Sequence, residues 1–186
     1  GGTHAPHHPT PEWIKKISDM HLFDGGWEKL RETIFANQKR LGIMPANAQL
    51  TAWQKELPEW DSLGWEEKKL FIKQADVYGA YLAYTDHEIG RVIQAVEDLG
   101  QLDNTLIIYI SGDNGASAEG MLNGTPNEFT TFNGVAVPVK DQFLWYEFWG
   151  SDKTFPHYAA SWAWAMSTPF KWVKQVASHF GGTAQG

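Results

Sequence analysis

Leu106-Ile107-Ile108-Tyr109-Ile110 is the stretch that most restricts what this chain can fold into. All five residues are apolar and three are β-branched, which suits extended backbone over helix. A run without alternation predicts a strand covered on both faces, as in a sheet sandwiched between helices. It stops at Ser111-Gly112-Asp113-Asn114-Gly115, which is turn chemistry. In open α/β sheets ligands bind beyond the carboxyl ends of strands. Asp113 and Asn114 would therefore place two hard oxygen donors where such folds keep their chemistry, the donor type that calcium and magnesium prefer. A plain surface turn has the same composition.

The segment before this run reads as helix. From about Trp65 to Leu99 apolar residues recur at three- and four-residue intervals: Leu70, Ile72, Ala75, Tyr78, Leu82, Ile89, Ile93, Val96. Gly100 stands where a helix C-cap belongs. Asp86 falls near the apolar seam between Leu82 and Ile89 and is expected to be a structural, hydrogen-bonded carboxylate. Helix, short turn and strand make half of an α/β unit. Upstream, Thr10 and Pro11 suit the cap and first residue of a short helix to Ser18. Trp27, Leu30, Ile34 and Leu41 predict a second helix ended by Gly42. His4, His7 and His8 cluster in the opening loop, where a metal site and an ordinary surface loop look alike.

Residues 116–168 lose periodicity and read as an aromatic-rich insertion. Val135 to Val139 suggests a short strand, and Phe143 to Trp149 a strand or helical turn. A region so long and so aromatic is expected either to pack simply over the sheet end or to contact substrate. Beyond it, Lys171 and Lys174 stand among aromatics before Gly181-Gly182, either as an anion clamp or as two solvated lysines.

Bulk properties exclude several classes. A net charge of −7 argues against a nucleic-acid partner. No apolar run reaches the roughly 18 residues of a membrane span, and no signal peptide is visible. With no cysteine there is neither a disulfide framework nor a thiolate site.

Taken together, Thr3-His4-Ala5-Pro6-His7, the block from Asp86-His87-Glu88-Ile89-Gly90-Arg91-Val92 to Ser111-Gly112-Asp113-Asn114-Gly115, and Pro169-Phe170-Lys171-Trp172-Val173-Lys174 before Gly181-Gly182 resemble the middle part of a type I sulfatase of the arylsulfatase group. The resemblance implies an α/β class: a partial alkaline-phosphatase-like fold, with helices packed on a mixed sheet of which only part is present. Residues 1–186 would then be an internal fragment of a sulfatase catalytic domain. It implies calcium ligands at Asp113 and Asn114, with magnesium as the other candidate ion. It implies that His4 contacts the sulfate ester and the leaving oxygen, and that Lys174 clamps the sulfate, with Lys171 as the competing lysine. The partner would be a sulfated small molecule or glycan.

One departure matters. The family's nucleophile is a formylglycine made within Cys/Ser-x-Pro-x-Arg, and an upstream Asp-Asp pair supplies further calcium ligands. Neither is in this sequence; Ser167-Thr168-Pro169-Phe170-Lys171 ends in Lys and coincides with the lysine loop. The chain alone is therefore expected to lack turnover, with formylglycine in a missing N-terminal part and the remainder of the sulfatase as a further partner. A periplasmic or secreted setting is compatible with the family, but nothing in these residues decides it. Two alternatives stand beside this: a phosphodiesterase or phosphonate hydrolase of the same superfamily, and a non-catalytic module whose Trp-rich region, between Trp145 and Trp172, stacks on sugars or on a partner.

Overall fold

The computed structural model describes residues 3–110, 114–176 and 180–182. Three longer helices carry the frame. Helix α1, Pro11–Ser18, starts as its sequence requires: Thr10 Oγ1 accepts from the Trp13 amide at 3.4 Å, and Pro11 takes a position that needs no donor. Helix α2 is Gly26–Arg40, and Gly42 follows it at φ +76°. Helix α3, Trp65–Asp98, runs for 34 residues, and Gly100 after it has φ +66°. Its first turn is closed by the Glu67 carboxylate, which accepts from the Gly64 amide at 2.8 Å.

Helix α3 buries one face only along its first half. Leu70, Phe71, Gln74, Ala75, Val77 and Ala80 are buried; beyond Ala80 no residue of the helix is. Leu82 and Asp86 are exposed. The expected seam carboxylate at Asp86 is therefore a surface group: in that part of the helix Trp13 of α1 covers Tyr84 and His87 and leaves Asp86 exposed. On α2 the buried face is Trp27, Arg31 and Phe35, one step round from the predicted stripe, and Leu41 is exposed. Arg31 can be buried because Thr51 receives it: Nη1 donates to the Thr51 carbonyl at 2.6 Å and Nη2 to its Oγ1 at 2.5 Å.

The core is aromatic. Helix α6, Ala160–Met166, brings in Trp162 and Trp164, both fully buried. Trp162 lies edge-to-face on Trp27 and Phe23, each at 5.5 Å, and its Nε1 donates to the Phe71 carbonyl at 2.9 Å. Gly26 has φ +80°, and a Cβ there would stand 2.2 Å from the Trp60 ring, so only glycine lets that ring close on α2. Trp27, Trp60, Trp149, Trp162 and Trp164 are all buried. These five tryptophans build the interior, while Trp65 and Trp145 remain exposed.

Two buried amides hold the 116–168 region to α3. Gln74 donates to the Asn123 carbonyl at 2.8 Å and accepts from the Ala159 amide at 2.9 Å. Gln142 donates to the Val137 carbonyl at 2.8 Å. They fix the segment carrying His157 and Tyr158, which pairs with Thr125 as an isolated antiparallel bridge. Two short helices, α4 (Glu128–Phe132) and α5 (Val139–Gln142), interrupt the region. The expected strand at Val135 to Val139 is not formed; Val139 opens α5. Residues Phe143–Phe148 form a 3₁₀ helix, the helical-turn alternative.

The predicted buried strand is the main correction. Among the described residues there is no strand, only two isolated bridges. Residues 106–110 lie outside any helix, and all five are exposed; Ile108 is 71% accessible. The physical reason is supply. A strand apolar on both faces needs paired edges and two covering layers, and no described segment provides them. Among the described residues the mixed sheet is thus not seen. A run of this kind beside the bare end of α3 makes the chain adhesive. We expect the 186-residue chain to self-associate, and Ile108→Lys to lower its mean mass in multi-angle light scattering. An unchanged mass in that variant would move the sticky surface elsewhere.

Candidate functional site

A cleft of about 840 Å³ opens where the N-terminal loop, α3, the 114–119 segment and the 170s meet. His4, Asn114, Ser117, Glu119, His157, Tyr158 and Lys174 line it. His4 and Lys174, 170 positions apart, are in direct contact: Lys174 Nζ lies 3.2 Å from His4 Nε2. His4 Nδ1 lies 3.0 Å from the Ala5 carbonyl, which can only accept, so Nδ1 carries a hydrogen and Nε2 faces the ammonium. Lys171 does not line the cleft; Lys174 does. Asn114 is exposed on the same cleft. Asp113, its predicted co-ligand, falls outside the described residues.

Local backbone explains how Lys174 is aimed. Its amide donates to the Ala116 carbonyl at 3.0 Å, which ties the lysine loop to the turn carrying Asn114. Ala116 in turn donates from its amide to Ser167 Oγ at 3.2 Å. Gly115 allows the approach: a Cβ there would stand 1.5 Å from the Gly181 carbonyl oxygen. Trp172 and Gln175, on either side of Lys174, hold φ values of +66° and +72°, unfavourable for residues with side chains.

The histidine cluster of the opening loop divides. His4 faces the cleft. His7 is buried, stacked on Tyr158 at 5.3 Å and edge-on to Tyr78 at 4.9 Å. His8 Nε2 donates to the Thr154 carbonyl at 2.7 Å. These three histidines do not converge on a common ion.

Sequence patterns passed over Glu119, Glu128 and His157, which no motif links. One ligand atom from each lies within 4.8 Å of the others. His157 is buried, and burial pulls it down to about 4, so it is neutral near pH 7. Its Nδ1 donates to the Tyr158 carbonyl at 3.1 Å. Glu128 is buried with its Oε1 unpartnered, and burial raises it above the usual carboxylate range. Partial burial would raise Glu119 too, but bonds from Ser117 and Lys174, with the ammonium's charge, hold it below that range. Glu119 already has its cation in Lys174, 3.0 Å away. The one sequence signal at Glu119 is its closeness to Asp113-Asn114-Gly115.

The sulfatase family profile matches residues 1–162. The chain belongs to the sulfatase family. An uncharacterized sulfatase of Schizosaccharomyces pombe is 33% identical over 176 residues, covering 91% of this chain and 30% of that protein. An arylsulfatase of Klebsiella aerogenes is 28% identical over 183 residues, covering 96% of this chain and 36% of its own length. This sulfatase chain thus spans about a third of those curated relatives. Family membership implies the alkaline-phosphatase-like fold, of which the described residues supply helices and no sheet. No described helix is long and apolar enough to cross a membrane.

The neutral, buried His157 gives the sulfatase chain a pH dependence. Its folded value of about 4 lies below the ordinary 6.5. Between those values the unfolded chain binds more protons, so stability is full above 6.5 and drains as pH falls towards 4. From pH 7 to pH 5 His157 alone removes about 2 kcal/mol. His7, lowered by burial and then by His157, acts in the same direction; Asp76 and Glu128, raised by burial, act in the opposite one. The measure is therefore a difference. Urea unfolding at both pH values should show His157→Gln losing about 2 kcal/mol less on acidification than the parent chain. Equal losses would mean that His157 titrates normally.

Proposed function

We propose that this chain forms part of the catalytic site of an arylsulfatase-type sulfuric ester hydrolase that depends on a divalent cation, calcium first. The observation that carries the proposal is the meeting of His4 Nε2 and Lys174 Nζ at 3.2 Å on a cleft that Asn114 also lines. Sulfate-ester cleavage puts negative charge on the sulfuryl oxygens and on the leaving oxygen. The Lys174 ammonium is placed to balance the first. His4 serves the second: as the S–O bond breaks, its electron pair stays on the leaving oxygen, and a proton that Nε2 has taken up from solvent, in exchange for its contact with Lys174 Nζ, passes there. Nδ1, committed to the Ala5 carbonyl, holds the ring so that Nε2 faces the cleft.

The donor set fits a hard cation at Asn114. Its amide oxygen is of the right type, and it borders the cleft. Asn114, with Asp113, would hold the ion, which when bound withdraws charge from the sulfuryl oxygens. A formylglycine nucleophile would come from sequence outside these 186 residues, so we expect none of the turnover from this chain alone. Substrate choice tests the proposal. A longer polypeptide that includes these residues should hydrolyse 4-nitrophenyl sulfate in preference to 4-nitrophenyl phosphate and its diesters. Preference for a phosphate ester would assign the chain to the superfamily's phosphodiesterase or phosphonate hydrolase branch.

A further inference from the structure

An anion sits against the very group that is to hold an anion. Glu119 Oε2 accepts from Lys174 Nζ at 3.0 Å and from Ser117 Oγ at 2.5 Å, while Oε1 accepts from Gln175 Nε2 at 2.8 Å. Both members of the ion pair are largely shielded, with side-chain exposures of 19% and 13%. Such a pair is stronger than a solvated one and fixes the ammonium's direction. Both carboxylate oxygens are committed, and the neighbour that supplies one bond, Gln175, holds an unfavourable φ of +72° to do so.

For simple anion capture this arrangement is a handicap. A fixed negative charge a few ångströms from the sulfate position weakens binding of every anion, and a dianion about twice as much as a monoanion. The ester substrate carries one negative charge near neutral pH and inorganic sulfate carries two. The penalty therefore falls hardest on product. In return the ammonium is held in place before substrate arrives, which is what charge stabilisation in a transition state requires.

We propose that Glu119 is a positioning residue for Lys174: it aims the ammonium at the sulfuryl group and, by its charge, keeps product sulfate from lingering. Ser117 and Gln175 orient Glu119. This rests on the sulfate-site reading above.

Glu119→Gln keeps the size and one acceptor oxygen and removes the charge. In the turnover-competent polypeptide it should lower kcat by about tenfold, since the ammonium is no longer pinned. It should also tighten competitive inhibition by inorganic sulfate by about tenfold and lower KM for the ester less. Glu119→Asp, which keeps the charge, should restore weak sulfate inhibition. A residue that merely braced the fold would weaken sulfate inhibition and raise KM as kcat fell, and that pattern overturns the proposal. The second measurement needs no turnover: sodium sulfate is titrated into the folded 186-residue chain and its Glu119→Gln variant, followed by NMR. Tighter binding by the variant is the expected result. Equal binding overturns the role of Glu119 alone. No sulfate binding by the parent chain removes the sulfate site, and this proposal with it.

Discussion

Trp162→Ala will cost the fold about 4 kcal/mol. The side chain is fully buried and is touched edge-on by Phe23 and Trp27, with Trp60 at 5.7 Å. Removing it opens a cavity whose walls are aromatic rings, and rigid rings cannot collapse into the space as an aliphatic core partly can. It also removes the bond from Nε1 to the Phe71 carbonyl, which ties α6 to α3. Against a typical total of about 5–15 kcal/mol, the loss brings the chain near its unfolding threshold. Urea denaturation of the variant checks this, with Trp65→Ala as the control. Trp65 is 70% exposed and should shift stability by no more than about 0.5 kcal/mol. Similar losses in the two variants would mean that the core is not centred on Trp162.

His4→Ala will lower sulfate-ester turnover by about 10²–10⁴-fold in a polypeptide that carries the nucleophile, the range for a lost general acid. Lys174→Met should cost about 10²–10³-fold, as for a lost group that stabilises developing charge. Neither should unfold the chain: His4 is exposed, and Lys174 is half-buried at the cleft edge. Because the two side chains touch, their losses should not multiply. The double variant should fall short of the product of the single effects. Circular dichroism and unfolding curves like the parent's, with turnover intact in the His4→Ala variant, would remove the histidine from the chemistry.

How much of this was legible in the sequence depended on how local its cause was. The caps of α1 and the glycines after α2 and α3 could be read, because a cap is decided within a few residues: Thr10, Gly42 and Gly100 behave as expected. The strand at 106–110 was read for what its residues prefer, and preference alone does not supply neighbours. Among the described residues nothing pairs with it, so it lies exposed. The buried face of α3 was placed too far along for the same reason: periodicity marks a stripe but not where its cover ends. At the cleft, His4, Asn114 and Lys174 stood out as residue types beside recognisable turns. Glu119, Glu128 and His157 did not, since they are joined only by the chain reversal that Gln74 and Gln142 pin. Polar residues whose partners lie far away in sequence leave no local signature.

Sulfate binding observed at individual side chains probes the His4–Lys174 pair without requiring turnover. In the 186-residue chain, sodium sulfate should shift the His4 ring and Lys174 side-chain NMR signals along one saturable curve, and Lys174→Met should abolish the His4 response. Saturable sulfate binding that leaves both residues unmoved, or a His4 response that persists without the lysine, would contradict the shared site.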